Sequence, residues 1–360
     1  MSRDLRTVAA AVFVFVVAGV CAAQEGEQWG SVPFADPLRF SSLPIEGSQA
    51  AAPPNGGWQL SLASGYFNVW QLTWHTKTVH EVLDLPRSPV TDAEIKLLER
   101  NFPKDQFYHI DLEGTRTVFD ATYGFGNGLA ATLSVPWVEI GRPHWDAIAE
   151  DFHGRFGLGT MGREWFPRGR TTVYVRGRNG ALERLTGLDG SGIGDVSVSL
   201  TGGVGDWLGA EHRVAVAVEA PTGEKGTLFG SGGWDKGLRW FSTWGKGGSQ
   251  LRVGLSYTWL DANGSWLGVR RDNTWGALFE GHTFLSRTLT FRASIRFDSS
   301  PLASFTDSDI GKVSSYWTVG LLRSLGRAGW VAFDAGENYD TQAEVPDFSF
   351  HLQFGTRIGP

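Results

Sequence analysis

The sequence predicts an all-β fold: a closed antiparallel transmembrane barrel of the outer-membrane type, with about twelve strands and a short helix in one long extracellular loop. The first observation behind this is strict alternation. In TLTFRASIRFD, residues 288–298, Leu289, Phe291, Ala293, Ile295 and Phe297 alternate with Thr290, Arg292, Ser294, Arg296 and Asp298. A period of two places each set on its own face of a strand. The second observation is the polar face, which carries Ser, Thr and Gly with sparse charges of both signs. A solvated sheet face carries many Lys and Glu, whereas a barrel interior carries this mixture. The third is composition: 360 residues with only 19% charged, 48 Gly and 16 Trp. Glycine in a helix interior costs about 1 kcal/mol relative to alanine, but turns and interfacial aromatic girdles use both Gly and Trp.

The N-terminus sets the compartment. Two arginines in MSRDLRT precede the apolar run VAAAVFVFVVAGV, and CAAQ follows with small residues. This is the pattern of a cleaved secretory signal over residues 1–23. A membrane-spanning helix needs about 20 apolar residues, and no segment supplies them. An exported chain of this kind spans a bilayer only as a barrel, because lipid demands that every backbone polar group be paired internally. The lone cysteine, Cys21, falls in the signal, so a disulfide framework, a thiolate metal site and a cysteine nucleophile are excluded. A net charge of −6 gives no basic surface for nucleic acid.

Residues 24–56 read as a Pro/Ala/Gly-containing lead-in, partly folded into the lumen, and 57–357 as the barrel. The predicted strands are 57–70, 106–124, 128–139, 193–202, 211–220, 234–244, 249–260, 273–284, 288–298, 313–323, 329–337 and 346–357. Each carries the same alternation, as in EHRVAVAVEA (211–220), where Val214, Val216 and Val218 oppose Arg213, Ala215, Ala217 and Glu219. The apolar faces end in Trp137, Trp234, Tyr257, Trp259 and Trp330, the pattern of interfacial girdles. Connectors alternate between short and long, as periplasmic turns and outer loops do. In the second strand, DLEGTR (111–116) also reads as a hairpin tip, which would change the strand count by two.

Four segments, DAIAEDFHGRFGL (146–158), GIGDVSVSL (192–200), PTGEKGTLFGSGGWDKGL (221–238) and PDFSFHLQFG (346–355), resemble the DUF3187 family of bacterial outer-membrane barrels. The resemblance implies the outer membrane of a Gram-negative bacterium as location and a barrel as fold; it implies no established activity. The chain departs from common barrel practice in ending RIGP, with its last aromatic at Phe354, where the assembly machinery usually finds a terminal aromatic.

Candidate site residues fall in two groups. Asp195, Arg213, Glu219, Asp235, Arg239, Arg252, Glu280, His282, Arg292 and Arg296 occupy predicted lumen positions, and Arg252, Glu280, His282, Arg292 and Arg296, on three successive strands, should cluster. They line the bore for a small polar or anionic solute, or fill it by mutual pairing. Trp145, Ile148, Phe152, His153 and Phe156 fall at helical spacing in the longest connector, the face of a plug or lid. Arg155, Arg163, Arg168, Arg170, Arg176, Arg178 and Arg184 in the same connector suit lipopolysaccharide phosphates. No residue spacing calls for a catalytic group, a metal or a cofactor. The expected function is a narrow pore or transporter for a small solute, in contact with outer-membrane lipid and the barrel-assembly machinery. The rivals are a lipid- or lipopolysaccharide-modifying enzyme, which needs a Ser–His–acid array at the outer rim, and a structural or adhesin-type barrel with binding loops.

Overall fold

The computed structural model describes residues 36–40, 43, 53–141, 145, 147, 150–151, 154–155, 162–185, 188–245, 249–266, 268–326, 329–338 and 348–359. The signal reading at 1–23 lies outside them. Twelve strands form the wall: β1 Trp58–Leu72, β2 Tyr108–Gly126, β3 Leu129–Ile140, β4 Val196–Trp207, β5 Ala210–Ala220, β6 Asp235–Trp244, β7 Ser249–Trp259, β8 Thr274–Phe284, β9 Leu289–Asp298, β10 Ser314–Ser324, β11 Trp330–Asn338 and β12 Phe348–Ile358. Each pairs antiparallel with its neighbours in sequence, and β1 pairs with β12 from Trp58↔Ile358 to Asn68↔Phe348, which closes the barrel. Closure removes every free edge among these strands. The chain enters β1 and leaves β12 at the end where the short turns lie.

The second strand is continuous, so DLEGTR makes no hairpin tip. Gly114 sits inside the wall opposite Phe67, where a Cβ would collide with the carbonyl oxygen of Glu139 and come within 2.9 Å of the Phe67 ring. The glycine is there for packing, not for a turn.

The two faces separate cleanly. Val216 and Phe333, each 52% exposed, belong to an outward apolar belt with Leu62, Phe119, Leu200, Leu238, Leu255 and Leu352. Trp137, Trp234, Tyr257 and Trp259 are exposed at its margins. Trp330 is not among them. It points inward, 2% exposed, and its ring lies where a side chain on Gly355 would stand. With Leu322 and Ala332 it makes an apolar floor at the short-turn end of the lumen. Position-by-position parity places Trp330 on the same inward set as Asp334, so the girdle expectation fails there.

Strands β1 and β2, of 15 and 19 residues, outrun the 9 to 12 of the other wall strands. Their excess projects beyond the long-loop end and carries an outer lobe. A strand at Thr172–Arg176 pairs with Tyr108–Asp111 and then with Leu182–Leu185. Two helices, α1 (Trp74–Val82) and α2 (Asp92–Asn101), pack on this sheet through Ile95, Leu98, Phe107 and Tyr174. The Thr91 side chain accepts from the Glu94 amide and Glu94 accepts in return from the Thr91 amide, a capping box that starts α2.

Candidate functional site

The lumen is the site, and three layers occupy it. At the long-loop end the inward residues Phe67, Val69, Leu112 and Val138 meet loop residues Leu228, Phe229, Leu302 and Ile310 in one apolar core. The mouth is therefore closed by side chains from the connectors.

Below that, the lead-in crosses the bore. Arg39 donates to the carbonyl oxygen of Asp298 on β9 at 3.3 Å and pairs with Asp36. Phe40 meets the Phe67 ring edge-on at 5.3 Å, with the Arg116 guanidinium 5.3 Å above its own ring. The Leu43 carbonyl accepts from Arg239 on β6 and Thr258 on β7, each at 3.4 Å. Residues 36–40 and 43 thus touch β1, β2, β6, β7 and β9.

The third layer is the charged lining. All ten expected lumen residues are turned from lipid; nine are buried, and Arg213 is half-buried at the short-turn end, held by Glu211 at 2.7 Å and the Gly128 carbonyl at 3.3 Å. The expected single cluster on β7, β8 and β9 is instead three groups. Arg252 binds Glu280 at 2.9 Å, and His282 Nε2 lies 3.2 Å from the other oxygen of that carboxylate. Arg292 turns away to Asp334 on β11 and to Gln353. Arg296 pairs with Asp298, two residues along its own strand. Asp235 takes Arg271 at 2.7 and 3.0 Å, and the Asp261 amide. Asp195 accepts the amides of Gly223 and Ser231, which pins the β5–β6 connector. The guanidinium groups of Arg252, Arg271, Arg292 and Arg296 are thus spent on carboxylates.

The plug face expected at Trp145, Ile148, Phe152, His153 and Phe156 does not hold at the one described member. Trp145 stacks 4.7 Å from Tyr66, an outward residue of β1, and its amide donates to Glu113. It lies against the outside of the wall. Ile148, Phe152, His153 and Phe156 lie outside the described residues. Ala147, Glu150, Asp151, Gly154 and Arg155 are helical, which agrees with a short helix there.

The arginines of that connector are mostly committed. Arg163 donates to Asn68 and lies 5.1 Å over Trp70, Arg168 binds Glu150, and Arg176 caps the carbonyls of Phe102, Pro103 and Asp105. Arg178 holds Asp307 and Arg184 holds Asp92. Arg155 and Arg170 are exposed. Glu150 is gripped by Arg87 at 2.8 and 2.9 Å as well as by Arg168. Burial disfavours its carboxylate, but these hydrogen bonds outweigh burial and hold its pKa at about 2. A carboxylate with a depressed native pKa gives stability above its ordinary value of 4.5 that is lost as pH falls towards 2. We expect pepsin to cleave the 141–172 connector progressively faster as pH drops through that window. Glu150→Gln should show the fast rate throughout; a rate independent of this substitution at pH 4 would refute the clamp.

One array in the lobe was not foreseen from the sequence. His80 Nδ1 meets Glu94 at 2.5 Å, and its Nε2 lies 3.4 Å from Ser88 Oγ. The order of groups is that of a serine hydrolase, but Nε2 also lies 3.0 Å from the Trp165 carbonyl, which only accepts. An imidazole donating there has no lone pair for a serine proton. Ser88 donates instead to the Leu85 carbonyl at 2.9 Å. Burial opposes ionisation of Glu94, but His80 and Thr91 hold its carboxyl below the usual range. His80 is a clamp joining α1, α2 and the Arg163–Trp165 turn. Among the described residues no group of three His, Cys, Asp or Glu is placed to hold a metal.

No curated protein matches the sequence. Among solved structures, the chain is similar to the COG4313 outer membrane channel from Pseudomonas putida F1, at 10% identity and a TM-score of 0.50, covering 86% of this chain and 97% of that one. It is also similar to the NanC porin, at 9% identity and 0.40 over 82% and 97%, and to the CymD monoaromatic hydrocarbon channel, at 10% and 0.38 over 96% and 97%. At such identities the likeness is one of fold, that of outer-membrane barrels. Residues 102–358 match the family described as protein of unknown function (DUF3187), and the chain belongs to that family.

Proposed function

We propose that this protein is a narrow channel or transporter for a small solute in the Gram-negative outer membrane, held shut by its own N-terminal segment. The observation that carries the reading is residues 36–40 and 43 inside the bore. A barrel with a purely structural role fills its lumen from its wall; this one fills part of it with chain that belongs to no strand. The hydrogen bonds from Arg39 to β9 and from Arg239 and Thr258 to Leu43 run from 3.3 to 3.4 Å, beyond the usual range for strong bonds. The apolar mouth above is likewise built from connectors, which move more easily than paired strands. The outward apolar belt supports contact with membrane lipid, and Arg155 and Arg170, exposed in the long connector, are suited to lipopolysaccharide phosphate. Strand β12, with Phe354 near its end, is the segment the assembly machinery would read.

The test is single-channel recording of refolded protein in planar bilayers. We expect small, infrequent steps from the intact chain and frequent, larger ones from a variant lacking residues 36–43. Silence from both would end the channel reading. The enzyme rival has its own check: lipid hydrolysis that disappears in Ser88→Ala would mean that the Trp165 carbonyl vacates Nε2 during turnover.

A further inference from the structure

The lining is lopsided. Strands β8 to β12 send large charged and aromatic side chains inward, whereas the middle of β3 to β5 presents small ones, among them Thr132, Ser199, Thr201, Ala215 and Ala217, with Glu219 towards the long-loop end and Arg213 at the short-turn end. Polar groups of this face are unspent. Ser199 and Thr201, each 2% exposed, and Glu219, 4% exposed, point inward, and Ser199 Oγ, Thr201 Oγ1 and Glu219 Oε1 have no hydrogen-bond partner. A buried polar atom without a partner is costly, so a site that keeps three of them along one track is suited to a ligand that supplies the missing bonds.

The charge of that ligand follows from what surrounds Glu219. Asp195 and Asp235 lie in electrostatic range and add negative potential; Arg271 and Arg116 oppose it. Arg271 is bonded twice to Asp235, and Arg116 lies over Phe40 of the lead-in. Asp195 is occupied by two backbone amides. Beside Thr201, in register with it, Ala215 joins Phe241 and Leu278 in an apolar patch. One track thus offers a carboxylate, two hydroxyls and an apolar wall.

We propose that this track is a binding site for small organic ammonium compounds with a short apolar body, and that Glu219, ionised when the ammonium group is bound, is its charge-selecting group. The proposal rests on the channel reading and reverses the anionic preference that the lumen arginines suggest in the sequence. The ammonium group meets Glu219, the hydroxyls of Ser199 and Thr201 solvate it further along, and the body lies against Phe241.

The test pairs a binding assay with a permeation assay on the refolded full chain. Benzylammonium chloride should raise the thermal unfolding temperature, and sodium benzenesulfonate should not. Reversal potentials across a potassium chloride gradient should give a cation preference of about tenfold, the effect of one buried charge acting at short range. Glu219→Gln should abolish both results; Glu219→Asp, which keeps the charge, should retain the preference. Equal stabilisation by the two organic ions, or an unchanged preference in Glu219→Gln, overturns the site. Conductance without any cation preference overturns the site and leaves the channel standing. Benzylammonium binding that Glu219→Gln removes, in a protein that never conducts, overturns the channel and leaves the site.

Discussion

Asp334→Ala should destabilise the barrel by about 3–5 kcal/mol, the usual cost of stranding one member of a buried ion pair. Arg292 and Asp334 are fully buried, two strands apart, and their side chains meet above β10. They reach each other because β10 carries Gly320 at that register, opposite Arg292 on one side and Asp334 on the other. Any Cβ on Gly320 would collide with the Asp334 carboxylate. Removing the carboxylate leaves the guanidinium with Gln353 at 3.0 Å as its remaining named acceptor. The double substitution Arg292→Met with Asp334→Leu should recover most of the loss, since a well-packed apolar pair often replaces a buried ion pair without penalty. Gly320→Val should reproduce the loss by a steric route. The measurement is denaturant unfolding in micelles followed by tryptophan fluorescence. If Asp334→Ala costs less than about 1 kcal/mol, the pair is solvated as surface pairs are, and the lumen at this depth is wet and open.

This pair shows what a sequence can and cannot disclose about a barrel. The inward placement of Arg292 was readable from alternation alone, because side-chain parity along a strand is a local property. Its partner was not. The reading grouped Arg292 with Glu280 and His282 on the neighbouring strand, and nothing local marks Gly320 as the gap that sends the guanidinium two strands away. Strand β4 shows a second kind of failure. The segment GGVGDW reads as a turn, yet β4 runs through it to Trp207 with an irregularity between Gly203 and Gly205; glycine weakens the strand signal without forbidding the strand. In the lobe, Thr91 and Glu94 carry a legible capping box, but the connector between β1 and β2 reads from its sequence as a plain loop. The His80–Glu94 clamp joins two such unread helices and so had no signal of its own. Helical spacing identifies an apolar face at Trp145, and it cannot say which side of a wall that face packs on. The lead-in has no periodicity, so its entry into the lumen is legible only as a coarse expectation; the contacts of residues 36–40 and 43 with five strands give it a place.

Ile295→Arg should cost about 2–4 kcal/mol, the penalty for a cation at the bilayer midplane on the lipid face of a barrel. Ile295 lies midway along β9, beside Phe279 of β8 and Trp317 of β10 on the outward face. Phe291→Arg, on the same face but two residues from the short-turn end of β9, should cost about 0–1 kcal/mol, since the penalty falls towards the interface. This gradient separates lipid from every other surrounding. If the outward face met water, both substitutions would be nearly free. If it were the core of a sandwich, both would be severe, because a core has no depth axis along a strand. The inward neighbour gives the opposite control. Ser294 lies in register with Glu280, and its hydroxyl is 2.7 Å from Thr318. Ser294→Arg meets a carboxylate there, and its cost is one of crowding, about 1–3 kcal/mol, whatever its depth. Folding yields in lipid vesicles, read by heat-dependent gel mobility, rank the three variants. A flat profile along the outward face, or Ser294→Arg failing where Ile295→Arg assembles, would exchange inside for outside and take the lumen, its ion pairs and the Glu219 track with it.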